Sequence, residues 1–184
     1  MIKETLIKDL HVISQSRVND DRGSFGKLFE SGNFRKIGFL HGIEQINIST
    51  NKKKGTIRGM HFQLPPFSET KIISCVKGKV FDVAVDLRKD SPTFLQWHAE
   101  ILSCKNYKSF LIPDGFAHGF QTLEDDCELL YIHSGPYKQE YEGTINAFDP
   151  KVSVEWPIGV SAITSRDRDC KMISEKYKMS FKFN

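Results

Sequence analysis

No segment of this sequence is apolar over anything near the roughly 20 residues that a membrane-spanning helix requires. The N-terminus, Met1-Ile-Lys-Glu-Thr5, holds no hydrophobic run of signal-peptide length either. An excess of one charge is also missing. Lysine and arginine total 26 against 23 aspartates and glutamates, a net of +3 over 184 residues. The basic cluster Lys52-Lys53-Lys54 suits a solvated turn, because like charges prefer water. This balance argues against nucleic acid as a partner and gives no reason to invoke a membrane. The four cysteines, Cys75, Cys104, Cys127 and Cys170, are far apart and form no Cys-x-x-Cys pair. Reduced thiols in a soluble, cytoplasmic protein are therefore expected. Internal repeats, low-complexity tracts and linkers are absent, as are a Gly-x-Ser-x-Gly elbow, a Walker loop and a dinucleotide fingerprint.

What the chain does have is phenylalanine, 14 of them, and short alternating segments. A first strand is expected over 5–13 and another from Ser24 to Phe29, with a short helical or irregular piece at 34–40. Glu44 to Ser49 alternates cleanly. Lys71 to Val76 and Lys79 to Leu87, separated by Lys77-Gly78, read as a hairpin-like pair. Further strands are expected at 94–102, 108–112 and 127–133, with Pro113-Asp114-Gly115 turning the chain into Phe116–Phe120. Strand signals recur about every 8–12 residues with turn residues between them, the pattern of an antiparallel sandwich or barrel. One all-β domain over 1–184 is predicted, with short helices in the polar tail after Ile158.

Chemistry concentrates in Gly55-Thr-Ile-Arg-Gly-Met-His-Phe-Gln63 and the following Lys71. In an extended strand, residues two apart share a face. Gly59, His61 and Gln63 should then line one side, with Met60 and Phe62 backing them. A lone histidine is more often a satisfied, half-buried side chain than a reactive one. His118 (in Pro113-Asp-Gly-Phe-Ala-His-Gly-Phe120) and Tyr131 (in Glu128-Leu-Leu-Tyr131) each have an equally plain reading, as a solvated loop histidine and a core tyrosine. Metal-binding barrels commonly offer two histidines two apart plus a carboxylate. Here the residue two after His61 is Gln63, and an amide is a poor ligand, so no metal is expected. What is left is acid/base chemistry without a cofactor. A histidine, a tyrosine, a lysine and arginines suit removal of a proton beside a carbonyl and stabilisation of the resulting enolate.

These residues carry a resemblance. Asp21-Arg-Gly-x-Phe25, Arg58-Gly-Met-His-Phe-Gln63, Phe81-Asp-Val-Ala-Val-Asp-Leu-Arg88, Asp90-Ser-Pro-Thr-Phe94, Ile112-Pro-Asp-Gly-Phe-Ala-His-Gly-Phe120 and Glu128-Leu-Leu-Tyr131 stand in order along the chain. Asp149-Pro150, Trp156-Pro157 and Asp167-Arg168 extend the series. In combination they are specific, and the chain resembles the dTDP-4-dehydrorhamnose 3,5-epimerases, RmlC-like cupins of sugar-nucleotide metabolism. The resemblance implies a double-stranded β-helix, that is, a jelly-roll barrel. It implies a homodimer whose N-terminal strands pair with the partner, and no metal or organic cofactor. The substrate would be a nucleotide-diphosphate 4-keto sugar on the route to dTDP-rhamnose.

On that resemblance, His61 abstracts the C5 and C3 protons, Asp167 is its dyad partner, and Tyr131 reprotonates from the opposite face. Lys71 and His118 contact the sugar and its C4 oxygen. Arg58 and Arg22 hold the diphosphate, where forked guanidinium contacts suit phosphate oxygens. Gln45, Asn47 and Gln63 fall at substrate positions, Tyr137 where a ring stacks on the base, and Glu142 and Arg166 at further binding positions. Three departures stand out. Lys27 occupies a nucleotide-contacting position that is commonly glutamate in the family, Arg166 replaces a usual lysine, and Asn146-Ala147 replaces an arginine followed by an aromatic residue. A single-centre epimerase on another nucleotide sugar, or a sugar-binding barrel without catalysis, are the alternatives. The related ketoisomerases carry a paired His-x-His, against His61-Phe-Gln63 here.

Overall fold

The computed structural model describes residues 1–173. Among the described residues thirteen strands are formed, β1 (Ile2–Glu4), β2 (His11–Ser14), β3 (Arg17–Asp20), β4 (Gly23–Gly26), β5 (Gln45–Asn51), β6 (Ile57–Gln63), β7 (Lys71–Lys77), β8 (Lys79–Asp86), β9 (Trp97–Ser103), β10 (Lys108–Ile112), β11 (Phe116–Thr122), β12 (Cys127–His133) and β13 (Glu142–Thr144). Two short helices accompany them, α1 (Ser31–Arg35) and α2 (Ser165–Arg168). One antiparallel sheet runs β1-β2-β10-β7-β12-β5, and the other runs β13-β6-β11-β8-β9. The β3–β4 hairpin stands apart from both. Together the two sheets form the jelly-roll barrel.

Alternation along each strand sorts the apolar side chains into three layers. Between the sheets lie Ile73 and Cys75, Phe110 and Ile112, Ala84, Phe116, Phe120 and Leu129. Their neighbours in sequence point outward. Ile72, Leu111 and Ile132 pack under Phe34 and Phe39, around α1. On the far side, Met60, Phe62, Val83 and Val85 are covered by Ile145, Val152 and Trp156 from the segment after β13. The reserve of phenylalanine is thus spent on three separate apolar layers.

Several boundaries differ from those the sequence suggests. The strand expected over 5–13 is instead a hairpin, because Asp9 takes a positive φ of 70° and Thr5 N–H closes onto the Leu10 carbonyl at 2.8 Å. The short helix comes earlier than 34–40, and the strand expected from Phe94 begins at Trp97. The larger difference concerns β7 and β8. They do not pair with each other. β7 pairs with β10 and β12, whereas β8 pairs with β9 and β11. At Gly78 (φ +78°) the chain turns tightly past Cys127, where a Cβ would stand 2.7 Å from the cysteine sulfur, and it crosses from one sheet to the other. The tail helix α2 is present, and the stretch 174–184 lies outside the described residues. Among the described residues no helix is long and apolar enough to cross a membrane. The four cysteines are free thiols.

The β6–β11 pairing also departs from strict alternation. His61 faces His118 and Arg58 faces Phe120, so two residues of β6, Gly59 and Met60, stand opposite one of β11, Gly119. This β-bulge turns Arg58, rather than Gly59, to the side of His61. Gly59 sits at φ +115°, and a Cβ there would lie 2.6 Å from Gly119 Cα. Gly59→Ala is therefore expected to cost about 2–5 kcal/mol, from a positive φ and a backbone clash together. Urea unfolding of the variant would measure it, and a loss under about 1 kcal/mol would contradict this account of the bulge.

Candidate active site

A pocket of about 270 Å³ opens between the two sheets. The five-stranded sheet supplies Arg58, His61 and Gln63 from β6 and His118 from β11. The six-stranded sheet supplies Asn47 from β5, Lys71 from β7, and Tyr131 and His133 from β12. Tyr137 and Glu142 close one side.

His61 Nε2 lies 2.8 Å from Asp167 Oδ1. Burial would raise the Asp167 carboxyl, but the hydrogen bond and charge of His61 outweigh it and hold the group below the ordinary carboxylate value. An ionised carboxylate only accepts, so Nε2 is the nitrogen that donates to Asp167, which in a neutral ring leaves the lone pair on Nδ1. Asp167 is itself fixed. It accepts from Gly59 N–H at 3.3 Å, and its own N–H donates to Thr164 Oγ1 at the start of α2, at 3.2 Å. The partly exposed histidine is thus held by a buried acid that arrives more than a hundred residues later in the chain.

Tyr131 packs against the inner core and between two imidazoles. His133 stacks on it, with centroids 5.8 Å apart and planes at 12°, and His118 meets it edge to face at 5.9 Å and 72°. Burial pushes its phenol well above the usual tyrosine value, and the Asp82 carboxylate adds to the shift. The hydroxyl therefore keeps its proton at neutral pH. His118 is not the solvated loop residue that its flanking glycines suggest. It sits mid-strand and buried, with Nε2 3.0 and 3.1 Å from the two oxygens of Asp82. Burial raises the Asp82 carboxyl against the pull of His118 and Lys71.

Arg58 is aimed by Asn51, whose Oδ1 accepts from Nε at 2.7 Å. The Gln63 amide is engaged by backbone, donating to the Phe67 and Pro136 carbonyls and accepting from Lys138 N–H. Gln45 donates to the Gly135 carbonyl beside the pocket rather than lining it. At the rim, Glu142 accepts from Tyr137 Oη at 2.8 Å and pairs with Arg166 at 2.6 Å. Burial opposes ionisation of Glu142, yet the Arg166 and Tyr137 hydrogen bonds keep its carboxyl lowered. Two expected binding residues stand elsewhere. Arg22 and Lys27 lie on and just after the β3–β4 hairpin, exposed and paired with Asp20 and Glu30, and neither reaches this pocket within the chain. Sequence reasoning missed Asp82, Glu69 and His133. His133 had a readable signal, since it shares a strand face with Tyr131 two residues before it. Among the described residues no group of three or more histidines, cysteines, aspartates and glutamates is arranged to hold a metal ion.

The family model described as dTDP-4-dehydrorhamnose 3,5-epimerase matches residues 4–175. The chain belongs to this family. It is accordingly an epimerase, of the isomerase class. The dTDP-4-dehydrorhamnose 3,5-epimerase of Shigella flexneri is 38% identical over 169 residues, which cover 89% of this chain and 91% of that protein. Among solved structures, the epimerase RmlC of Legionella pneumophila in complex with dTDP-4-keto-L-rhamnose superposes with a TM-score of 0.89. It is 36% identical, and the match covers 94% of this chain and 92% of that one. ChmJ, a 3'-monoepimerase from Streptomyces bikiniensis in complex with dTDP-quinovose, superposes with a TM-score of 0.85 at 27% identity, covering 91% of this chain and 85% of that one.

Proposed function

We propose that the protein inverts C5 and C3 of dTDP-4-dehydro-6-deoxyglucose, giving dTDP-4-dehydrorhamnose. One observation carries the reading: His61 and Tyr131 come from opposite sheets into a single pocket, a base backed by a carboxylate and a phenol held protonated. His61 Nδ1 takes the proton beside the C4 ketone, and the electron pair moves onto the C4 oxygen. Lys71 and His118 steady that oxyanion. Tyr131 then gives its proton to the opposite face, leaving a phenolate and an imidazolium. The pair is reset by proton exchange before the second centre reacts. Asp167 holds the imidazole in its working tautomer and stabilises its charged form.

Arg58, Asn47, Tyr137, Glu142 and Arg166 bind the nucleotide end. In a homodimer, the hairpin carrying Arg22, with Lys27 just beyond it, would serve the partner's pocket. The exposure of Val18 and Phe25 on that hairpin supports this arrangement. The likeness to a 3'-monoepimerase supports a second reading, inversion at C3 alone.

Incubation with dTDP-4-dehydro-6-deoxyglucose in heavy water, followed by NMR, tests both. Deuterium is expected at C5 and at C3. Label at C3 alone would replace the double inversion with the single one, and no label would sink the catalytic reading of this sugar.

A further inference from the structure

Two residues of the pocket take no part in the chemistry above, Glu69 and His133. Glu69 lies just before β7 and is buried. Its Oε2 accepts from His133 Nδ1 at 2.9 Å, and its Oε1 stands 3.4 Å from Lys71 Nζ. Lys71 and His133 are themselves direct cross-strand partners in the β7–β12 register. Burial would raise the Glu69 carboxyl, but the His133 hydrogen bond and the Lys71 charge hold it low, so the anchor is an ionised one. With Nδ1 fixed in this way, the His133 ring lies almost parallel to Tyr131.

One carboxylate therefore restrains two groups that the reaction needs. A lysine ammonium is a point charge on a flexible stem, and without a partner its direction is undefined. A tyrosine tethered only at its Cα can swing its hydroxyl over several ångströms by side-chain rotation. Both oxygens of Glu69 are also occupied by cationic or donor groups, which limits its repulsion of negative charge developing on the sugar.

We propose that Glu69 and His133 are positioning residues, the carboxylate fixing the Lys71 ammonium and, through the His133 ring, the orientation of Tyr131. The inference rests on the roles of Lys71 and Tyr131 given above. The competing possibility is a polar pair that stabilises this end of the sheets and nothing more.

Steady-state kinetics on dTDP-4-dehydro-6-deoxyglucose separates the two with His133→Ala, His133→Phe and Glu69→Gln. His133→Ala should lower kcat about 10–100-fold, the scale of loss from a misplaced reacting group. KM should stay within about twofold, because binding of the nucleotide is not involved. His133→Phe should recover most of kcat, since it restores an aromatic face without the ion pair. Glu69→Gln keeps an acceptor for His133 but removes the charge beside Lys71, and should lower kcat with KM held. An unchanged kcat in His133→Ala, a His133→Phe no better than alanine, or a loss confined to KM would overturn the proposal.

A second readout needs no turnover. In protein labelled with 3-fluorotyrosine, the ¹⁹F signal of Tyr131 is identified by its absence in Tyr131→Phe. It should be narrow in the wild type and in His133→Phe, and broadened or multiple in His133→Ala. Equal line widths in all three would refute the stacking role whatever the enzyme's substrate. A wild type that fails to turn over this sugar would instead sink the proposed function, with the fluorine spectra still deciding the positioning.

Discussion

His61→Asn is expected to lower turnover about 10²–10⁴-fold, the range that general-base groups contribute. Asparagine is smaller than histidine and its amide ends short of the Nε2 position that meets Asp167, and it has no lone-pair nitrogen to take a proton. Asp167 keeps its contacts with the Gly59 and Thr164 segments, so the fold should survive, with a lowered thermal unfolding midpoint because the buried carboxylate loses its imidazole partner. Deuterium uptake should fall at both carbons in parallel, because the same atom serves both. NMR assay in heavy water reads the rate and the position of label together. Activity within tenfold of wild type, or loss at one carbon alone, would remove His61 from the base's role.

Tyr131→Phe should give a different signature. The ring can still stack between His133 and His118, and only the donor hydroxyl is gone. His61 can still remove the proton, exchange it with solvent and return deuterium to the same face. Exchange and inversion should therefore separate, with deuterium entering C5 at unchanged configuration while the inverted product falls about 10²–10⁴-fold. Inversion at near the wild-type rate would show that another group delivers the second proton. Loss of exchange together with inversion would mean that the phenol is needed for the first step as well.

How much of this could be read from residues alone depends on the separation over which a contact acts. The strand around His61 was legible because the alternation of Met60 and Phe62 against their neighbours is local. Its bulge was not, since Arg58 reaches the face of His61 only through the β11 register. The Lys71–Lys79 region has every local mark of a hairpin, yet Gly78 carries the chain between sheets, and turn composition does not reveal which strands lie alongside. Asp167 could be tied to His61 only through family resemblance, because nothing in a short helix over 100 residues away signals an imidazole partner. Glu69 looks like loop polarity in Phe67-Ser-Glu-Thr-Lys71. Its meaning appears only when β12 brings His133 alongside.

The pocket's two proposed reacting groups hang from different sheets, His61 from β6 and Tyr131 from β12. Facing sheets are held about 10 Å apart by the side chains between them. The gap across which a sugar ring must fit, base on one side and acid on the other, is thus a thickness set largely by Ile73, Phe110 and Leu129, which lie behind the pocket wall, rather than by residues that meet substrate. Core volume becomes a catalytic dimension. Swelling or thinning that filling by a methylene or two would act as a change of caliper setting, felt in proton transfer as well as in folding.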